Sequence, residues 1–154
     1  MHSYWLMKTD PESFSVEDFK KIPKKTTAWD GVRNYQARNF MKSMKSGDLA
    51  FFYHSNDEHP AIRATCKIVR EAYPDPTQFD PKSKYYDEKA TPQNPRWFLV
   101  DLQLNEILKQ PITLSELRTN PKLSKMVLLQ KGSRLSVQPV TKEEWEAILT
   151  DNSR

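Results

Sequence analysis

Trp5, Trp29, Tyr53, Tyr85, Tyr86 and Trp97 fall at strand ends, turns and one long loop, not only inside periodic apolar runs. Core packing claims most aromatic side chains in any chain, because each buries a large apolar area. Here Arg33, Arg38, Lys42, Arg63, Lys67 and Arg134 are interleaved with them. A flat ring beside a cation is the combination that stacks a nucleobase and holds a phosphate backbone. The stretch TTAWDGVRNYQARNFMKSM, Thr26 to Met44, concentrates the mixture: a tryptophan, an Asp-Gly turn and then Arg33. The spacing puts Arg33 in a helix's first turn, where the dipole disfavours positive charge. An anionic or planar ligand would give such a cation a reason to be there.

Other chemistries have thinner support. His54 and His59 are five residues apart in a turn region with Asp57 and Glu58, and no further histidine is near, so a surface loop explains them better than a metal. Ser55 and His54 are neighbours on an extended segment and point to opposite faces, a poor arrangement for proton transfer to a nucleophile. Asp10, Asp18, Asp48, Glu116 and Glu144 flank turns or cap helices and form no apolar-flanked acid and base pair. Asp30, between Trp29 and Gly31, is the exception, and with His54 it is the one acid/base combination the chain offers. Gly31, Gly47 and Gly132 are isolated, so no phosphate-cradling loop or dinucleotide fingerprint can be assembled. No cofactor and no metal are expected.

The chain has 154 residues and a formal net charge of +4, which suits one domain, 1–154, with a polar, mildly basic surface. Cys66 is the single cysteine, so neither an internal disulfide nor a thiolate zinc site is possible. The N-terminal MHSYWLMKTD meets a charge too early for a signal peptide, and no apolar run approaches the ~20 residues of a membrane span. A reducing, cytoplasmic compartment with no targeting tail is the expectation.

Several elements must hold these side chains in place. SYWLMK alternates as a strand, and Ser15 and Asp18 frame a capping box for a short helix that Pro23 stops. Ala37, Phe40, Met41 and Met44 form one helical face. LAFFYHS reads as a strand buried on both faces, with Tyr53, His54 and Ser55 at its end. In AIRATCKIV, Ile62, Ala64, Cys66 and Ile68 face one way. The proline-rich Tyr73–Pro95 segment is too long for a casual connection, so it is expected to be an ordered functional loop or a mobile lid. RWFLVDLQLNEI resumes alternation, Thr113 and Glu116 cap a short helix, RLSVQPV is a strand that Pro139 confines to an edge, and Thr141 and Glu144 cap a closing helix. Five to six short strands with three or four short helices and no βαβ rhythm predict an α+β domain on a small, strongly curved mixed sheet or barrel.

Six blocks in order then carry a resemblance: YWLMKTDPESFS, WDGVRNYQARNF, GDLAFFYHSN, EAYPDPTQFDP, NPRWFLVDL and RLSVQPVTKEEWEAI. Together they resemble the EVE domain family, a branch of the PUA-like superfamily, from about Tyr4 to Leu149. The resemblance implies a curved, barrel-like sheet flanked by helices, and a non-catalytic reader of modified bases in DNA or RNA that takes a flipped or single-stranded base into an aromatic pocket. It also implies a lone-domain bacterial form, without a basic N-terminal extension and with access to the nucleoid. On local chemistry and resemblance together, Trp29 is the stacking wall. Asn34, Ser55, Ser136 and Gln138 are candidates for edge contacts, Tyr53 and His54 line the pocket, and Lys8, Arg33 and Arg38 are the phosphate or ligand cations. Extruding a base from a duplex costs a few kcal/mol, and stacking returns roughly 1–3 kcal/mol per base. The chain departs from the family pattern at KTDPE, where a Ser-Glu-Pro form is usual, and at Ala61 and Ala64, where glycines are common; Arg63 adds a charge beside them. An enzyme acting on a modified nucleotide, through Asp30 and His54, and a protein-interaction adaptor are the alternatives.

Overall fold

The computed structural model describes residues 2–151. In chain order these form β1 (Tyr4–Thr9), α1 (Val16–Lys21), β2 (Thr26–Ala28), α2 (Tyr35–Ser43), β3 (Leu49–His54), β4 (Ala61–Pro74), β5 (Phe98–Thr113), α3 (Leu114–Arg118), β6 (Val137–Val140) and α4 (Lys142–Asp151), with short 3-10 turns between them. The six strands make one mixed sheet in the order β2-β5-β4-β3-β1-β6. β1 and β3 run parallel, and every other pairing is antiparallel. The sheet is open, with β6 at one edge, where Pro139 has no ladder hydrogen bond to forfeit.

Curvature comes from irregular pairing. β4 and β5 are long, 14 and 16 residues, and their register shifts at four places, with a further shift between β3 and β4 at Phe52/Tyr53. Each extra residue bends its strand and increases the local twist. One shift, between Ile62 and Ala64, corrects the simple alternation expected of β4. Ile62 packs on one side of the sheet, whereas Ala64, Cys66 and Ile68 pack on the other.

The sheet therefore has a core on each face. Trp5, Met7, Trp29, Phe52, Val100 and Leu102 pack with Phe19 of α1 and with Ala37 and Met41 of α2. Leu6, Phe51, Tyr53 and Ile62 pack on the opposite face with Leu117 of α3 and with Trp145 and Ile148 of α4. β3 feeds both cores, Ala50 and Phe52 to one and Phe51 and Tyr53 to the other, which is why LAFFYH is apolar throughout. The capping boxes at Ser15/Asp18, Thr113/Glu116 and Thr141/Glu144 all form. They fix where α1, α3 and α4 begin by satisfying amides that have no partner within the helix.

Asp48 joins the start of β1 to the turn after α2. Its buried carboxylate accepts the Trp5 indole N–H at 3.0 Å and the amides of Ser3 and Lys45, each at 3.0 Å. Replacing Asp48 by Ala strands a buried indole donor and two amides. The expected loss is about 1–3 kcal/mol, read as a lower urea midpoint at unchanged m-value; an unchanged midpoint would show that Asp48 is dispensable.

Candidate functional site

A cavity of about 690 Å³ opens where the end of β1, the Asp10–Phe14 turn, the 27–33 segment and the Lys84–Tyr85 part of the long loop converge. Phe14, Trp29 and Tyr85 give it aromatic walls, and Lys8, Asp10, Asp30, Lys84 and Ser136 lie around them. Its volume falls within the roughly 300–1,000 Å³ typical of small-ligand pockets.

Trp29 is wall and core at once. Phe14 and Phe52 meet its ring edge-on, at 6.4 Å and 5.9 Å, and only 8% of the residue is exposed. Its amide bonds the Val100 carbonyl at 2.9 Å, so the ring is fixed from behind by β5. The Tyr85 ring packs directly on Gly31, where no side chain stands in its way. A Cβ built there would lie 2.6–2.9 Å from Tyr85 ring atoms, and Gly31 has φ +81°. The glycine thus answers two demands, a left-handed turn and close approach of a ring.

Arg33 is the fastener behind Tyr85. α2 starts at Tyr35 with Asn34 as its N-cap, so Arg33 precedes the helix instead of occupying its first turn, and the expected conflict with the dipole does not arise. Its Nε and Nη2 donate to the Tyr85 carbonyl at 3.2 Å and 2.8 Å, and Nη2 also donates to the Thr77 hydroxyl at 3.0 Å. Nη1 donates to the Val32 carbonyl at 3.0 Å and to Asp75 Oδ2 at 3.2 Å. A guanidinium has five N–H donors, and all five are engaged, so Arg33 acts through the loop it holds. Its plane also sits 5.5 Å from the Tyr85 ring centre and 5.4 Å from that of Trp97.

Asp75 is completely buried and receives the Gly31 amide at 2.8 Å together with the Thr77 amide and hydroxyl. Burial by itself would push its carboxyl up; the Thr77 hydroxyl, the Gly31 and Thr77 amides and Arg33 outweigh burial and hold it below the usual carboxylate range. Gln78, also buried, donates to the carbonyls of Asp75 and Trp97 and accepts the amides of Arg96 and Trp97. Asp87 accepts the Trp97 indole N–H at 2.8 Å. The long loop is thus closed on itself around Gln78 and Asp87 and bolted to the 31–33 segment through Asp75 and Tyr85.

The rim carries charge of both signs. Burial lowers the Lys8 ammonium from its ordinary value. Asp30 reaches solvent, yet the protein packed about it and then the neighbouring charge of Asp75 push its carboxyl up. A carboxyl poised this way can accept from, or when protonated donate to, a ligand's polar edge.

Of the side chains expected at a site, Lys8, Trp29, Arg33 and Ser136 meet at the cavity. Asn34 Oδ1 caps α2 by accepting the Ala37 amide at 2.9 Å. Tyr53 points into the core on the opposite face, where burial pushes its phenol up to about 12. His54 Nε2 accepts the Val16 amide at 3.0 Å, and burial, then Arg63, lower its pKa. His54 is absent from the cavity lining that contains Asp30, so the structure does not bring together the acid/base pair of the enzyme alternative. Ser55 Oγ donates to the Thr9 carbonyl at 3.2 Å, and buried Gln138 donates to the Leu135 carbonyl at 2.8 Å. Arg38 lies on the outer side of α2, with Nη1 on the Arg96 carbonyl at 2.8 Å. Ala61 and Ala64 are buried away from the cavity, and Arg63 pairs with Asp57 at 3.3 Å. Among the described residues no group of three acidic, histidine or cysteine side chains is placed to hold a metal, and no helix is long and apolar enough to cross a membrane.

Sequence reasoning did not assign Phe14, Lys84 or Tyr85 to the pocket. The Tyr85-Tyr86 pair in the proline-rich loop was the available signal, and only the contact with Gly31 decides which of the two turns inward. Phe14 sits in a turn with no periodicity to mark its direction.

Two outcomes follow from this geometry. Gly31→Ala forces a left-handed non-glycine residue and displaces the Tyr85 ring, for an expected loss of about 1–3 kcal/mol. A wild-type unfolding temperature in that variant would contradict the packing of Tyr85 on Gly31. Asp75, being depressed in the folded state, contributes stability that is present above the ordinary carboxylate range near pH 4 and lost as pH falls through its lower folded value. Denaturant titrations between pH 6 and pH 2.5 should therefore show a steeper acid decline for the wild type than for Asp75→Asn; parallel curves would remove Asp75 from this role.

Comparison with known proteins places this geometry among related chains. A family model described as EVE domain matches residues 3–151. Human thymocyte nuclear protein 1 is 47% identical over 167 residues, a match covering 97% of this chain and 74% of that protein. A crystal structure of the human THYN1 protein in complex with 5-methylcytosine-containing DNA superposes with a TM-score of 0.93 at 47% identity, covering 99% of this chain and 98% of that one. A crystal structure of a protein from Pseudomonas syringae gives a TM-score of 0.91 at 49% identity, over 96% and 98% of the two chains.

Proposed function

The chain belongs to the EVE domain family, and from that premise we propose that it is a non-catalytic reader of modified bases in nucleic acid, taking a single base into the cavity between Trp29 and Tyr85. The observation that carries the reading is the aromatic cavity itself: two rings fixed by separate structural devices, with Lys8, Asp30, Lys84 and Ser136 at its edge. The human relative captured with 5-methylcytosine-containing DNA supports the ligand class. A flat base with polar atoms along its edge matches aromatic walls beside a polar rim.

Within this reading Trp29 and Tyr85 sandwich or flank the base. Asp30 and Ser136 meet its polar edge, and Lys8 and Lys84 face the adjoining phosphates. Arg33 takes part indirectly, by keeping Tyr85 in position. Asn34, Tyr53, His54, Ser55 and Gln138 shape the scaffold that presents the cavity, through the cap and hydrogen bonds described above. The whole of 1–154 is taken as one such domain. Relatives occur in bacteria and in animals, so the family leaves the organism open. The buried Cys66 thiol, which burial pushes above its ordinary pKa, is compatible with a reducing, cytoplasmic setting.

The test is a titration of fluorescently labelled oligonucleotides, DNA and RNA, that are identical except for one 5-methylcytosine. Tighter binding of a methylated strand is expected, with Tyr85→Ala and Trp29→Ala weakening its binding about tenfold, in line with the worth of one stacked base, and shrinking the gap between the methylated and unmethylated strands. Folded variants that keep the full preference would move the base-binding site elsewhere. Turnover of the modified strand would instead favour an enzyme.

A further inference from the structure

Tyr35, in the first turn of α2, is 48% exposed, the most of any large hydrophobic side chain among the described residues. Its inner face is stacked on Trp97, with ring centres 4.8 Å apart and planes 24° apart. Its rim is cationic. The Arg38 guanidinium lies 4.8 Å and that of Arg96 6.0 Å from the Tyr35 ring centre, and one turn on the Lys42 ammonium lies 4.6 Å from the Phe98 ring. Arg96 is balanced by Asp87 at 3.4 Å. Arg38 bonds only neutral groups, the Asn39 amide oxygen and the Arg96 carbonyl, and Lys42 has no ion pair among the described residues. A rigid ring is thus held open to solvent beside two uncompensated cations.

The ring is connected to the cavity. Trp97, under Tyr35, meets the Arg33 guanidinium, which in turn meets Tyr85 of the cavity wall. Rings and a guanidinium alternate from the pocket to the outer face of α2, so the two surfaces are held in fixed relation to each other.

We propose that the Tyr35–Arg38–Lys42 face of α2 is a second contact surface for a nucleic-acid strand. A second base of the strand whose modified base enters the cavity stacks on Tyr35, while Arg38 and Lys42 meet flanking phosphates; the proposal rests on the cavity reading above. Charge complementarity singles out this partner: the uncompensated cations suit a polyanion, and one isolated exposed ring is too small an apolar patch to form the core of a protein interface. A stacked, preorganised ring also binds a base without first being ordered, the arrangement found in proteins that hold single strands with little sequence preference.

The test compares wild type, Tyr35→Ala, Tyr35→Trp and Lys42→Ala by anisotropy with a 5-methylcytosine oligonucleotide at several salt concentrations, and by calorimetry with free 5-methyl-2′-deoxycytidine. Tyr35→Ala should weaken oligonucleotide binding about tenfold, and Tyr35→Trp should preserve it. Lys42→Ala should reduce the slope of log affinity against log salt by roughly 0.7–0.9. Nucleoside binding should be the same in all four proteins. Unfolding curves establish that each variant is folded; Lys42 extends into solvent, so its variant keeps the test available if Tyr35→Ala is unstable. Oligonucleotide affinity and salt slope unchanged in both alanine variants would overturn the proposal. Weakened strand binding in those variants, together with no nucleoside binding by the wild type, would support this face and overturn the cavity reading. Absence of any oligonucleotide binding would overturn both.

Discussion

A buried carboxylate facing a guanidinium at 3.2 Å decides the shape of the candidate site, because each of the two groups needs the other. Asp75 has no access to water, and an ionised carboxylate in such a place must be fully hydrogen-bonded. Arg33, the Gly31 amide and Thr77 supply those bonds. The same Arg33 then fixes the Tyr85 carbonyl, and the Tyr85 ring lies on Gly31. One ion pair thereby joins the turn before α2 to a loop more than 40 residues further along the chain, and the cavity is the space enclosed beside that junction.

The two sides of the cavity are supported differently, with consequences for binding. Trp29 belongs to the core around Phe52 and moves only with the sheet. Tyr85 belongs to a loop whose stability comes from polar groups, chiefly Gln78, Asp87 and Arg33, with little apolar burial. A ligand entering between them meets one wall that is rigid and one set by hydrogen bonds. Preorganisation of both lowers the ordering cost of binding. The outer face of α2 is joined to the Tyr85 wall through Trp97, which shares its ring between Arg33 and Tyr35.

Much of the scaffold was legible in the sequence because it rests on local rules. The capping boxes, the apolar run of β3 and the edge position enforced by Pro139 each follow from a few adjacent residues. Register shifts are not local, so the turn of Ile62 away from Ala64 could not be read from alternation. The site is partly legible: Lys8, Trp29, Arg33 and Ser136 converge, but the bonds from Arg33 to Asp75, Thr77 and Tyr85 do not show in the local sequence. Hydrogen bonds spanning 42 to 52 residues leave no trace in spacing. Tyr53 and His54 share a strand end, yet the pleat sends the first to the far core and the second to the Val16 amide.

The proposed function stands on a modified base occupying the cavity lined by Trp29 and Tyr85. The most direct measurement is a crystal structure of this protein with a short strand bearing one 5-methylcytosine. The methylated base is expected in the cavity, within stacking distance of the Tyr85 or Trp29 ring and with its polar edge toward Asp30 or Ser136. A strand bound with its methylated base elsewhere, and the cavity filled only by solvent, would contradict it.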